Sequence, residues 1–319
     1  MTARDHSQTV ELLDLADFKG TYAVVGEHAG RSRWQKIRGL LSRAASLAAV
    51  VKGSPIAVAV SHGSRSMVLA ARLLGVPVLT MFDYEFTETR IFNKFSTRVL
   101  VPDTIPDEVC DSIGLGKSWR RKYPGIKEEM YVRAFVANDG FLPHLLDGRD
   151  VSNGSIIVFR PPATTANYHD ERSELMMVAL LRRLLDDDGV FIIIVPRTPE
   201  QAAEIEALIA VVDPGADNYQ ILKTAVDGLN LAAAADVVIS GGGTMNREAV
   251  LLGVPVYSIF AGRLGSLDAA MERDGLITFI RDTKDVDLIE LKKRDRSTPM
   301  PKLTDRVEKF VIAEIDKFL

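Results

Sequence analysis

The segment Ser240-Gly241-Gly242-Gly243-Thr244-Met245-Asn246-Arg247-Glu248 has the residue types and order of an anion site. It follows an apolar run and opens a helical pattern expected to reach about Leu252. Consecutive glycines remove side chains where a ligand must approach the backbone closely. The first N–H groups of a helix lack intrahelical partners, and the helix dipole there favours negative charge. Thr244 can add a hydroxyl donor, so a phosphate or diphosphate is the natural occupant. The segment is not a GxGxxG fingerprint, because Asn246 stands where the last glycine would, and no Lys-Ser/Thr pair follows as in a P-loop. Glu248 lies one helical turn beyond Thr244 on roughly the same face, within reach of a ribose diol. The plainer reading of these residues is a tight turn and a solvated glutamate. By itself the loop says phosphate, and not which one.

Two arginines extend the pattern. Arg160 closes the apolar run Ile156–Phe159, and Arg197 follows Phe191–Val195. Both fall at the carboxyl ends of expected strands, where open α/β sheets bind ligands. There an arginine can clamp phosphate with two parallel hydrogen bonds, although a surface ion pair is the plainer alternative.

The elements that must position these groups alternate along the chain. Strands are expected at Tyr22–Val25, Ile56–Val60, Val78–Met81 and Val99–Val101, and again at Ile156–Phe159, Phe191–Val195, Val237–Ser240 and Val256–Phe260. Between them run helical patterns, such as Trp34, Ile37, Leu40, Leu41, Ala44, Leu47, Ala48 and Val51. Alternation of this kind predicts βαβ units and parallel sheets. A polar, turn-rich stretch at His144–Gly154 separates the two series, and Lys302–Leu319 reads as a terminal amphipathic helix with Val307, Phe310, Val311 and Ile315 on one face. The chain also echoes itself. VAVSHGSRSMVLAARLLGVPVLTM from Val58 and VVISGGGTMNREAVLLGVPVYSIF from Val237 both run strand, Ser-x-Gly, helix, then LLGVPV into another strand.

Bulk properties narrow the function classes. The 319 residues suit two domains of roughly 150 each. A net charge of −4 gives no general reason to expect nucleic acid. One cysteine, Cys110, and five scattered histidines offer neither a disulfide framework nor zinc-ligand spacing, so no metal is expected and a reducing compartment, the cytoplasm, is the default. No apolar run has the length of a membrane span, and the N-terminus lacks the pattern of a signal peptide. Arg31, Arg33, Lys36, Arg38 and Arg43, with Lys117-Ser118-Trp119-Arg120-Arg121-Lys122-Tyr123, form basic stretches. They allow at most peripheral contact with an anionic membrane, and more plainly read as a solvated helix face and a charged loop.

The segment ADVVISGGGTMNREAVLLGVPVYSIFAG, preceded by VDGLNLAAA, closely resembles an uncharacterised bacterial and archaeal family of GT-B-type proteins. SHGS at Ser61, FDYEFT at Phe82 and KYPGIKEEMY at Lys122 resemble the same family, so the likeness covers most of the chain. More distantly the sequence is similar to the N-acetylglucosaminyltransferase that makes lipid II and to non-hydrolysing UDP-N-acetylglucosamine 2-epimerases. The resemblance implies a GT-B-like α/β fold, two Rossmann-like domains whose parallel sheets face across a cleft. The expected division is 1–147 for the acceptor side, 148–300 for the nucleotide-sugar side, and 301–319 for a helix packing back on the N-terminal domain. Relatives begin with a strand and helix ahead of the segment resembling Thr2–Leu15, so a unit of about 30–40 residues is expected to be missing here.

Carried over position by position, the resemblance implies a diphosphate at Gly242, Gly243 and Thr244, to which the loop itself adds Gly241. It also implies a ribose at Glu248, which stands seven residues before Pro255 as in both relatives. Their sugar-reading loop corresponds to Ala261–Asp268, where Arg263 and Asp268 are the polar candidates. Here Ser266, Leu267 and Asp268 replace the transferase's glutamine pair. A transferase of this type needs a base at the acceptor hydroxyl. His62, Asp83 and Glu85 are the candidates, each of which can instead be a cap or a loop hydrogen bond. The expectation is a glycosyltransferase-like protein that takes a nucleotide-sugar, UDP-linked by preference, as substrate and needs no cofactor. Its acceptor is unspecified, a lipid-linked one being compatible, and an oligomer is allowed. A nucleotide-sugar epimerase and a non-catalytic sugar-nucleotide-binding protein are the alternatives.

Overall fold

Every strand pairing among the described residues is parallel. The computed structural model describes all residues except 5–8, 17, 19, 27–31, 163–170 and 297–299, so Arg31 of the basic stretch lies outside the described residues. Contacts divide the chain into two units, Met1–Met130 with Gly265–Ala270 and Thr304–Leu319, and Tyr131–Leu264 with Met271–Leu303. The division falls at Met130, and the His144–Gly154 turns lie inside the second unit.

In the first unit β1 (Thr2–Ala3) pairs with β2 (Ala23–Val24), and α1 (Thr9–Leu15) lies between them in sequence. Helix α2 (Arg33–Val51) starts on a capping box: Gln35 N–H donates to Ser32 Oγ at 3.2 Å, and Ser32 N–H donates to Gln35 Oε1 at 3.0 Å. Four strands follow, β3 (Ala59–His62), β4 (Val78–Met81), β5 (Arg98–Pro102) and β6 (Arg120–Tyr123), side by side in chain order. Their connections carry α3 (Arg65–Leu74), α4 (Arg90–Phe95) and α5 (Asp107–Ser112), and α6 (Glu129–Val132) follows. β4 is buried throughout, as a strand covered on both faces must be. Val78, Phe82, Phe92, Val99 and Ile105 fill one cluster. Leu79, Met81, Leu100 and Tyr123 fill another with Val307 and Val311 of the terminal helix (Arg306–Asp316).

Two expectations about this unit change. β3 spans Ala59–His62 and not Ile56–Val60, because pairing begins where Ala59 N–H donates to Pro77 O, and Pro77 has no N–H with which to extend the ladder backwards. The basic run at Lys117–Tyr123 is no charged loop from Arg120 onward: it is strand β6, with Arg120 and Tyr123 buried. Arg120 donates to Asp111 Oδ1 at 2.9 Å and lies 3.5 Å from Asp107. Arg43 is likewise turned inward, donating from Nε to Val25 O at 2.9 Å, whereas Lys36 and Arg38 are exposed.

The second unit opens with α7 (Phe141–Leu145), followed by β7 (Ser155–Arg160), α8 (Glu171–Leu185), β8 (Val190–Ile194), α9 (Pro199–Val212) and β9 (Tyr219–Ile221). Then come α10 (Gly228–Ala234), β10 (Val237–Ser240), α11 (Thr244–Leu251), β11 (Val256–Ser258), α12 (Ser266–Arg273) and β12 (Thr278–Phe279), with α13 the terminal helix of the first unit. The sheet order is β12-β11-β10-β7-β8-β9. The chain builds outward from β7 to β9, then returns to the other side of β7 with β10. That reversal leaves a crevice at the carboxyl ends of β7 and β10, the place where doubly wound sheets take ligands. Ile157, Phe159, Ile192, Ile194, Val237 and Ile239 anchor the core beneath it, each fully buried side chain contributing on the order of 2 kcal/mol. No helix among the described residues is long and apolar enough to cross a membrane.

Candidate functional site

At the switch point the chain presents Arg160 as the last residue of β7, paired in register with Ser240, the last of β10. The three glycines that follow have three different reasons. A Cβ on Gly241 would stand 2.5 Å from Pro162 Cα, and one on Gly242 3.3 Å from Phe260. Both positions are therefore set by the protein's own packing. Gly243 alone faces open space, with φ +98°, and it begins α11 with no side-chain cap. Packing alone therefore requires glycine at Gly241 and Gly242, while at Gly243 the space is open.

The loop is held from below. Ser240 Oγ donates to buried Asn246 Oδ1 at 2.5 Å, and Gly242 N–H donates to the same hydroxyl at 2.9 Å. Gln201 of α9 donates to Pro162 O at 2.8 Å, and Arg197 Nε donates to Pro161 O at 3.3 Å. The first turn of α9 thereby fixes the β7 exit loop against which Gly241 packs. Thr244 is exposed beside Gly243. The result is a preformed helix N-terminus whose N-cap residue, Gly243, brings no capping side chain.

The Arg160 guanidinium is held charged at a cost. Burial, and then the positive charge of Arg197, push its pKa down to about 10, with the negative charge of Glu248 only partly opposing them. At neutral pH the group is still charged, and holding it so in the folded chain costs about 3 kcal/mol relative to the unfolded one. The sign is that of a buried base: the cost is present at neutral pH and lifts only as pH rises past 10. Arg160 thus feels the charges of both Arg197 and Glu248. Glu248 also accepts a hydrogen bond from the Tyr131 phenol at 2.7 Å. Arg263 is exposed in the loop after β11, and Asp268 lies in the first turn of α12; neither is among the charges acting on Arg160.

The first unit gathers a second polar cluster at the carboxyl ends of β3 and β4. His62 Nε2 lies 3.5 Å from Asp83 Oδ2, which also receives Lys127 Nζ at 2.7 Å. Lys127 pairs in turn with Glu128, which is fully buried. The His62 side chain is 39% exposed against 11% for Asp83, so the imidazole is the member open to solvent. Glu85, by contrast, accepts from Ser266 N–H at 2.7 Å and Ser266 Oγ at 2.5 Å, serving as a carboxylate cap at the start of α12. Ser64, two residues past His62, caps α3 through its hydroxyl. Among the described residues no three His, Cys, Asp or Glu side chains gather as metal ligands would.

Four contributors escaped the sequence reading. Lys127, Glu128 and Tyr131 lie inside KYPGIKEEMY, and their clustering of charge beside a tyrosine was the available signal. Asn246, noted for breaking a fingerprint, is the buried acceptor that shapes the glycine turn.

Solved structures share this architecture. UDP-GlcNAc 2-epimerase from Neisseria meningitidis, bound to UDP-GlcNAc, superposes with a TM-score of 0.66 at 13% identity over 97% of this chain and 81% of that one. UDP-GlcNAc 2-epimerase from Methanocaldococcus jannaschii gives 0.62 at 10% over 96% and 90%. Anabaena HepE in complex with UDP-glucose gives 0.54 at 14% over 90% and 87%. The fold is therefore GT-B-like α/β with two Rossmann-like parallel sheets, as expected. An uncharacterised protein of Methanocaldococcus jannaschii is 22% identical over 287 residues, 87% of this chain and 78% of the relative. The family described as "Protein of unknown function (DUF354)" matches residues 1–311, and the chain belongs to it.

Proposed function

We propose that the protein is a glycosyltransferase that binds a nucleotide-sugar, UDP-linked by preference, in its second unit. The observation carrying this reading is the placement of half-buried Arg160, paired in register with Ser240, beside the α11 N-terminus that Gly243 leaves without a side-chain cap. A diphosphate supplies the missing negative charge, accepting from the N–H groups that open α11 and from Arg160 and Arg197. Glu248, one turn along, takes the ribose hydroxyls. UDP-GlcNAc and UDP-glucose in the similar structures support the ligand class.

In the reaction the acceptor oxygen bonds to the sugar's anomeric carbon, and the bond from that carbon to the diphosphate breaks. The electron pair leaves with the diphosphate, whose growing charge is met by the arginines and the helix dipole without a metal. A base must take the acceptor's proton, and His62, 3.5 Å from the Asp83 that Lys127 holds, is the candidate. A second reading, nucleotide-sugar epimerase, draws on the buried carboxylates Asp83, Glu85 and Glu128 of the first unit. Free nucleoside diphosphate appearing only with an acceptor favours the transferase. Sugar interconversion without it favours the epimerase.

Calorimetry with UDP, GDP, dTDP and ADP tests the site. One of them should bind, and Glu248→Ala should weaken it tenfold or more, the loss of about 1.4 kcal/mol. Absence of binding by all four sinks the donor-site reading.

A further inference from the structure

We infer that Tyr131 is an internal competitor for the ribose, a phenol that occupies Glu248 until a ligand hydroxyl replaces it. The inference rests on the reading of Glu248 as the ribose acceptor and adds what that carboxylate does before ligand arrives. Tyr131 Oη donates to Glu248 Oε1 at 2.7 Å, across 117 positions of sequence, and both residues belong to the second unit. A hydroxyl donating to one carboxylate oxygen is the same chemistry that a ribose hydroxyl offers there. The tyrosine is 41% exposed, so its ring is not enclosed in the core.

The exchange has a direction. A ligand with one hydroxyl trades one charge-assisted hydrogen bond for another and gains nothing at Glu248. A vicinal diol brings two donors for the one it displaces, so the gate selects nucleoside diphosphates that carry an intact ribose. It also weakens them all by the strength of the Tyr131 hydrogen bond. Pyrophosphate, which engages only the Arg160 and Gly243 region, is indifferent to the gate.

The test titrates UDP and pyrophosphate into the wild-type chain, Tyr131→Phe, Glu248→Gln and the double variant. Tyr131→Phe should tighten UDP roughly tenfold, the magnitude of one hydrogen bond to a charged group. Pyrophosphate affinity should not move, and the tightening should vanish in the Glu248→Gln background. Tightening that depends on Glu248 separates competition from a merely structural role of the phenol. If Tyr131→Phe binds UDP equally or more weakly while Glu248→Gln weakens it, the competitor is overturned and the ribose reading stands. If UDP does not bind, or Glu248→Gln leaves its affinity unchanged, the ribose reading falls and the competitor with it.

Discussion

The two strand–turn–helix–strand segments that echo one another end alike and begin differently. In both, pairing starts from a proline carbonyl: Ala59 N–H donates to Pro77 O and Val238 N–H to Pro255 O. Both helices are followed by a glycine with φ +70°, Gly75 and Gly253. At the other end Ser64 folds its hydroxyl over the first turn of α3, whereas Gly243 leaves the first turn of α11 uncapped. Arg120, buried, and Arg160, half-buried, differ in the same sense. Burial pulls the Arg120 guanidinium down, but the Asp111 hydrogen bond and the charge of Asp107 help lift it above its ordinary value. Arg160 meets a second arginine and stays depressed. A helix end or a charge that the chain satisfies itself belongs to the structure. One left unsatisfied beside open space is the place for a ligand.

The largest effect expected from this contrast is at Arg120. Arg120→Met removes the partner of Asp107 and Asp111 and a donor to Leu115 O, and should lower stability by about 3 kcal/mol. Urea unfolding measures it, and nucleotide affinity should be unchanged. A variant as stable as the parent would show that the pairing contributes nothing and that the contrast is one of geometry alone. Arg160→Met comes next and carries the opposite sign in stability. Removing a charge that is costly to bury should raise Tm while UDP affinity falls about a hundredfold, some 2.7 kcal/mol. Should Tm fall and binding persist, Arg160 is a structural residue like Arg120.

The parts of the site visible in sequence are those whose signal is local. The apolar run into Gly241–Gly243, the helical pattern carrying Glu248, and Arg160 at the end of β7 all read directly, because strand, turn and helix there depend on adjacent residues. Contacts across the chain did not read. Lys127 meets Asp83 from 44 positions away and Tyr131 meets Glu248 from 117. Gly241 is required by Pro162, on a neighbouring strand's exit. β6 stayed hidden because Arg120-Arg121-Lys122 has the composition of a surface loop, and only its tertiary partners bury it. The short edge strands β9 and β12 likewise offer too few residues for a periodic pattern.

The smallest expected effect is the sharpest on the matched turns. Ser64→Ala removes the acceptor for Met67 N–H, a 3.3 Å bond, and leaves α3 uncapped as α11 is. Loss of such a cap costs about 1 kcal/mol, or roughly 2 °C in Tm for a chain of this size. The variant thus gives the first unit the open helix end of the second; Arg43, itself pushed down by burial and by the charge of Arg4, lies at that turn but spends its guanidinium on Val25 O and Ser66 Oγ. UDP affinity should be unchanged, and pyrophosphate should gain no new site on the chain. Appearance of a second pyrophosphate site would mean that an open helix N-terminus alone suffices, and that Arg160 adds affinity without defining the site.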